Sequence, residues 1–256
     1  MRRQVVLAHF SIRNAGFVDR CFAAHTAGFD GIGLEIGAYS SLRAAGRTDD
    51  ELLGILAEHD TQVLELEALP LFGDAHVDAF VHLVATYRPQ RILVVPPFSG
   101  VVDRALAGEW LARLAHRVAP FDATVAIEFL PFTDIPDAAA AAELVDRAGS
   151  VNVGVCVDVW HVFRGAGLLS LVGLDPAYVA TVQLNDGPLD PVDDDYVIDC
   201  LHHREVPGDG EFELRAFMEL VPPGVPVAVE VPSDDLDLRP PVEVAALLME
   251  ESRRWL

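Results

Sequence analysis

Residues 151–158 read VNVGVCVD, and the alternation is strict. Val151, Val153, Val155 and Val157 share one parity; Asn152, Gly154, Cys156 and Asp158 share the other. Successive side chains of a β-strand point to opposite faces, so such a segment turns an apolar row one way and small or polar groups the other. The run before it, TVAIEF (124–129), behaves alike, with Val125, Ile127 and Phe129 opposing Thr124, Ala126 and Glu128. The two runs after it oppose Val182 and Leu184 to Thr181, Gln183 and Asn185, and Val227, Val229 and Val231 to Ala228 and Glu230. In a closed parallel barrel one parity packs on helices and the other fills the interior. Both rows are then accounted for.

Working outward, apolar runs that read as strands lie near Val5–His9, Gly31–Ile36, Val63–Glu67, Ile92–Val95, Thr124–Phe129, Val151–Asp158, Val179–Asn185 and Val227–Val231. Helical patterns separate them, among them Asp49–His59, Val77–Tyr87, Ala105–Val118, Ala138–Arg147, Leu214–Leu220 and Val242–Trp255. Strands that alternate with helices imply a parallel sheet. Eight such units of roughly 30 residues nearly use up the chain of 256, and about 250 residues is typical of a (β/α)8 barrel. The expectation is an α/β protein, one TIM-barrel domain over residues 1–256. A doubly wound open sheet fits less well: the glycines of GFDGIG (28–33) precede a strand and do not open a helix as a dinucleotide fingerprint would. The stretch 187–210 carries Pro188, Pro191 and Pro207 with an acidic run at Asp193–Asp195. A loop of that length after the seventh strand is expected to be an active-site lid.

Composition excludes several chemistries. All 18 basic residues are arginine. Without lysine there is no Schiff base, no pyridoxal anchor and no P-loop lysine. A formal net charge of −22 opposes phosphate backbones and anionic bilayers, so neither nucleic acid nor a membrane surface is expected as a partner. Cys21, Cys156 and Cys200 lie far apart, with no CxxC pair, which argues against a disulfide framework or a thiolate zinc site. No membrane span or signal-peptide core is visible, and a cytoplasmic protein is expected. A homo-oligomer is compatible with the fold, but no interface is legible.

Four consecutive strands aim Glu128, Asp158, Gln183 and Glu230 into one barrel mouth. Three carboxylates converging in a low-dielectric cavity repel one another unless a cation joins them. No lysine is available and few arginines sit near strand ends, so a bound divalent ion is the economical solution. An all-oxygen donor set favours Mg²⁺ or Mn²⁺, with Co²⁺ or Zn²⁺ as alternatives. Glu67, inward near the end of the third strand, is a candidate substrate contact, as are His9 at the end of the first and Trp160. Glu35 and Glu65 share the inward parity of their strands; for Glu65 a buried hydrogen-bonded or rim position is expected. Cys156 reads as a small core side chain, and the remaining histidines, His202 and His203 included, as helix or lid surface.

The segments AIEFLPF (126–132), VDVWHVFRGAG (157–167), VQLNDGP (182–188), REVPGDGEF (204–212) and VAVEVPS (227–233), in this order, resemble the xylose isomerase-like TIM-barrel superfamily of sugar isomerases and epimerases, along essentially the whole chain. The resemblance implies that Glu128, Asp158, Gln183 and Glu230 ligate the metal. It makes Glu128 and Glu230 the acid/base pair and places His161 and Arg204 on substrate oxygens. The implied reaction is isomerisation or epimerisation of a small ketose, cyclic polyol ketone or sugar derivative, by proton transfer through an enediolate. Epimerases of this type usually carry histidine where this chain has Gln183. A glutamine there looks more like the 3-dehydroshikimate dehydratase branch, so a metal-dependent lyase is the alternative, with His161 as its acid. A metal-free glycosidase using Glu128 and Glu230 would survive chelation, and a non-catalytic sugar-binding barrel would catalyse no exchange.

Overall fold

Three of the four valines of the row lie where their alternation puts them. In the computed structural model, which describes residues 2–256, Val153, Val155 and Val157 belong to the large apolar cluster that also holds helix residues such as Leu111, Leu144 and Leu248. Cys156, of the other parity, meets Leu93 and Ala126 in a separate small cluster. Val6, Ala8, Leu64 and Ala228 form a second. Small side chains therefore fill the barrel interior, and branched ones bind the barrel to its helices.

The strands are β1 (Val5–Leu7), β2 (Gly31–Glu35), β3 (Val63–Pro70), β4 (Arg91–Val95), β5 (Thr124–Glu128), β6 (Val153–Asp158), β7 (Val179–Leu184) and β8 (Val227–Val229). Each pairs in parallel with its sequence neighbours, and β8 pairs with β1, closing a single (β/α)8 barrel. The helices are α1 (Phe17–Ala27), α2 (Ile36–Ala44), α3 (Asp49–Glu58), α4 (Asp74–Tyr87), α5 (Arg104–Val118), α6 (Ala138–Ala148), α7 (Val159–Phe163), α8 (Tyr196–His202), α9 (Leu214–Leu220), α10 (Asp234–Asp237) and α11 (Pro241–Ser252). Their ends follow local chemistry. Thr48 and Glu51 make a reciprocal capping box on α3, and Asp103 and Asp137 cap α5 and α6. Gly28 stops α1 in the left-handed region at φ +85°. No helix among the described residues is long and apolar enough to cross a membrane.

Each expected strand shifts at one end by one to three residues, and three of the shifts have a visible cause. β6 begins at Val153; Val151 is fully exposed, and Asn152 turns away from the interior to donate to the Ala115 and Ala123 carbonyls, both at 3.0 Å. β1 ends at Leu7, because the His9 N–H leaves the ladder for Glu67. β3 runs on to Pro70 through a register shift against β4, and a second shift against β2 skips Leu64, which joins an interior cluster while its neighbour Glu65 also reaches across the barrel to Thr181. The stretch 187–210 is not bare loop. It contains α8, and Asp186 ties its base by accepting from the N–H groups of Gly187, Gly208 and Phe212.

Candidate active site

Glu128 and Asp158 close their strands, Gln183 is the penultimate residue of β7, and Glu230 directly follows β8. Adjacent strand ends thus deliver four polar side chains to one place, and none is more than 7% exposed. Asp158 lies opposite Gln183 in the ladder.

Hydrogen bonds hold the group in two connected sets. Asp158 Oδ1 accepts from the Trp160 N–H at 2.8 Å and from Asn185 Nδ2 at 2.7 Å. Its Oδ2 accepts from Arg204 Nη1 at 2.8 Å, and the same nitrogen reaches Glu230 Oε2 at 3.2 Å. In the second set Glu128 Oε1 lies 2.8 Å from His161 Nε2, and His161 Nδ1 lies 2.6 Å from the Tyr196 hydroxyl. An ionised carboxylate only accepts, so Nε2 carries the proton. In the neutral ring Nδ1 then accepts from Tyr196. His161 Nε2 also approaches Asp158 Oδ2 at 3.6 Å, which joins the sets.

Burial sets the electrostatics. Desolvation pushes Glu230 well above the usual carboxylate range, with Arg204 opposing the shift and Asp158 adding to it. Asp158 is also desolvated, but Arg204, His161, Asn185 and the Trp160 N–H together pull it below its ordinary value. Glu67 is pushed up to about 8, first by burial and then by the nearby charge of Glu65. Its two oxygens accept from the His9 N–H at 3.1 and 3.3 Å. The carboxylate fits there because residue 33 is glycine: a Cβ on Gly33 would fall 1.8 Å from Glu67 Oε1.

This makes stability fall with rising pH. Between pH 4.5 and about 8 the unfolded chain has released the Glu67 proton and the folded chain still holds it, so folding weakens across that window. Glu67→Gln is expected to remove Glu67's share of this decline, leaving that of the likewise raised Glu230. Its gain over the parent should be absent at pH 4 and grow toward pH 8 in urea unfolding of metal-free protein. A difference independent of pH would assign the effect to packing.

A cavity of about 220 Å³ opens on the group. Glu67, Glu128, His161, Gln183, Arg204 and Glu230 line its buried end. Phe10, Val95, Leu130 and Pro232 line the walls, and Phe98 and Phe132, 61% and 38% exposed, stand at the mouth. Phe98 and Phe132 meet edge to face at 5.3 Å, and Phe132 lies 4.9 Å from Tyr196.

Two sequence candidates lie elsewhere. Trp160 is fully buried behind the cavity, packed on Phe212 at 5.7 Å and under the Arg164 guanidinium at 4.4 Å. α7 starts at once after β6 and turns it away. The His9 ring lines a different depression, beside Arg20 and Leu34, and only its backbone serves the site, through Glu67. Burial, with the Arg20 charge adding, lowers its pKa to about 3. Glu35 caps α2, accepting from Gly37 and Ala38. Glu65 pairs with Arg91 at 2.6 Å.

One of the few arginines near the strand ends, Arg204, comes in from the segment after α8 and neutralises part of the charge. Tyr196, Asn185 and the aromatic mouth were not singled out from sequence. The mouth had a faint signal, a phenylalanine after proline just beyond two strands, in PPF (96–98) and LPF (130–132).

Ligand atoms of Glu128, Asp158 and His161 lie within 4.8 Å of one another. Two of the three buried carboxylates, Asp158 and Glu230, share one guanidinium, Glu128 pairs with an imidazole, and Gln183 stands beside them. This donor set fits a divalent cation. The imidazole widens the choice of ion beyond the oxygen-only set expected from the strands.

The profile of the family described as xylose isomerase-like TIM barrel matches residues 21–256. No match was found among curated protein sequences. Among solved structures, the chain is similar to the IOLI protein with a bound zinc atom, at TM-score 0.87 and 16% identity over 99% of each chain. It is similar to the probable 3-DHS dehydratase AsbF from Bacillus anthracis, at TM-score 0.76 and 15% identity over 98% of each chain. It is also similar to a D-allulose 3-epimerase from Methylomonas sp. in complex with D-allulose, at TM-score 0.76 and 13% identity, covering 100% of this chain and 98% of that one. At these identities the likeness is one of fold.

Proposed function

We propose, for a chain that belongs to the xylose isomerase-like TIM barrel family, a divalent-metal-dependent isomerase or epimerase that moves a proton beside the carbonyl of a small hydroxyketone. The observation that carries this reading is the convergence of Glu128 and Glu230 on one cavity with Asp158 buried beside them, Asp158 and Glu230 sharing the Arg204 guanidinium and Glu128 held by His161. Glu128, Asp158, Gln183 and Glu230 would hold the ion. When bound, the ion supplies the Lewis acidity that loosens a proton next to a carbonyl.

The chain's own residues supply the proton traffic. Glu128 and Glu230 stand on strands β5 and at the end of β8, so they approach a substrate between them from different sides. One removes the proton, and the other returns it, to the opposite face for epimerisation or to the next carbon for isomerisation. His161, held between Tyr196 and Glu128, keeps the carboxylate oriented and donates Nε2–H into the site. Arg204 offers hydrogen bonds to a substrate oxygen from a position fixed by the Cys200 carbonyl. The apolar walls keep water from the reacting carbon.

A lyase is the second reading. His161 touches Glu128 and is placed to protonate a departing hydroxyl, and the AsbF likeness supports it. Growth of ultraviolet absorbance from an aromatic product would distinguish it.

The test is metal content and exchange together. Protein prepared without chelator is expected to hold about one equivalent of divalent metal, with Glu230→Gln holding clearly less. EDTA should abolish deuterium uptake at the α-carbon of small ketoses, and added Mn²⁺ or Zn²⁺ should restore it. Protein that neither carries nor takes up metal would overturn both readings.

A further inference from the structure

The cavity has two chemically unlike ends. Every charged or amide side chain lining it among the described residues lies at the buried end, within reach of Glu128 and Glu230. Beyond them the surface is Val95, Phe98, Leu130, Phe132, Val197 and Leu201. The one hydroxyl on that side, Tyr196, is already engaged with His161.

The backbone gives little relief. The Val95 carbonyl accepts from the Leu71 N–H at 2.8 Å, and the Leu130 carbonyl accepts from Thr133 at 2.9 Å. The Leu130 N–H is spent on Ile135 at 2.9 Å, and the Leu201 carbonyl on Arg13. An open-chain ketose brings a hydroxyl on nearly every carbon, and each one buried here without a partner loses a hydrogen bond to water. A ring or branched apolar group loses none, and it covers two phenylalanines that otherwise face solvent.

We propose that the physiological substrate is an α-hydroxyketone whose oxygens sit at one end only, the remainder being a bulky apolar or unsaturated ring, and not an open-chain sugar. The inference rests on the proton-transfer reading of the same site for its reacting head. The apolar end of the cavity selects the tail. Phe98 and Phe132 form the face on which the ring stacks, and the space of about 220 Å³ admits one six-membered ring besides the head.

Three probes with one reacting head separate the two ideas: acetoin, D-fructose and 3-hydroxy-4-phenylbutan-2-one. Affinity is measured by calorimetry on Mg²⁺-saturated protein, and α-proton exchange by NMR in D₂O. The phenyl ketone is expected to bind about 10–100-fold more tightly than acetoin, the gain from burying one aromatic ring. Fructose should bind no better than acetoin. Phe98→Ala and Phe132→Ala should each shrink the phenyl-to-acetoin ratio by several-fold, and the ratio cancels any general damage to the fold. Fructose binding as tightly as the phenyl ketone, or a ratio unmoved by both variants, overturns the inference. Exchange on fructose with no gain from the ring would do so while leaving the proton-transfer reading intact. Tight phenyl-ketone binding with no exchange on any probe would leave apolar selection standing and sink the proton transfer.

Discussion

Glu128→Gln is expected to slow α-proton exchange by about 10²–10⁴-fold, the range for losing a positioned general base, while the melting temperature stays close to the parent's. Glutamine keeps the shape and still offers an oxygen to His161 Nε2–H, so the Tyr196–His161 chain survives. What disappears is a group able to hold a proton. Glu128 suits this test better than Glu230, which is tied to Arg204 and whose loss would leave that guanidinium half-paired. The measurement is single-turnover deuterium uptake by NMR at saturating metal, with thermal unfolding in parallel. A rate within about threefold of the parent would remove Glu128 from the chemistry and leave Glu230 as the sole base.

The largest effect on stability is expected at the opposite end of the barrel. Arg91, the first residue of β4, points inward, and its Nε donates to Glu65 Oε1 at 2.6 Å. Its Nη1 reaches Gln90 at 3.2 Å and its Nη2 reaches Gln4 at 3.1 Å, while Thr181 donates to the same Glu65 oxygen at 2.9 Å. Glu65 is wholly buried, and its second oxygen has no partner among the described residues. Arg91→Met leaves that charge uncompensated, at an expected cost of about 3–5 kcal/mol, or roughly 6–20 °C in Tm. The double variant Glu65→Leu, Arg91→Met should recover most of it, since an apolar pair of similar volume avoids desolvating either charge. If single and double variants melt alike, the loss is one of packing and the buried charge is not its cause.

Legibility in the sequence followed the regularity of the strands. β5 and β6 are short and strictly alternating, and the inward positions of Glu128, Cys156 and Asp158 could be read directly from them. β3 could not be read so simply, because its register shift puts adjacent Leu64 and Glu65 both inside, and alternation carries no sign of a bulge. Trp160 and Glu35 lie away from the cavity for a related reason. Each sits where a helix begins without a connecting loop, so the chain changes direction within one residue of the strand end. Arg204 and Tyr196 enter from the segment after β7, whose path depends on the Asp186 tie and on α8 packing. The resemblance pointed to Arg204; no periodicity marks Tyr196. The mouth phenylalanines needed the fold itself before their shared position became visible.

The pairing that closes the barrel also orders events in time. β1 lies against β8, with Val5 opposite Val227 and Leu7 opposite Val229, and Ser11 stitches the seam by donating to Val229 and accepting from Val231. The barrel's first strand to leave the ribosome must therefore wait, unpaired on one edge, for the barrel's last. Glu230 directly follows that late strand. However much of the remaining sheet has already assembled, the site's fourth wall arrives only after the other seven strands have been made. A nascent chain thus carries an open, valine-rich edge until then, and a waiting edge of this kind is where chaperones or neighbouring chains find purchase.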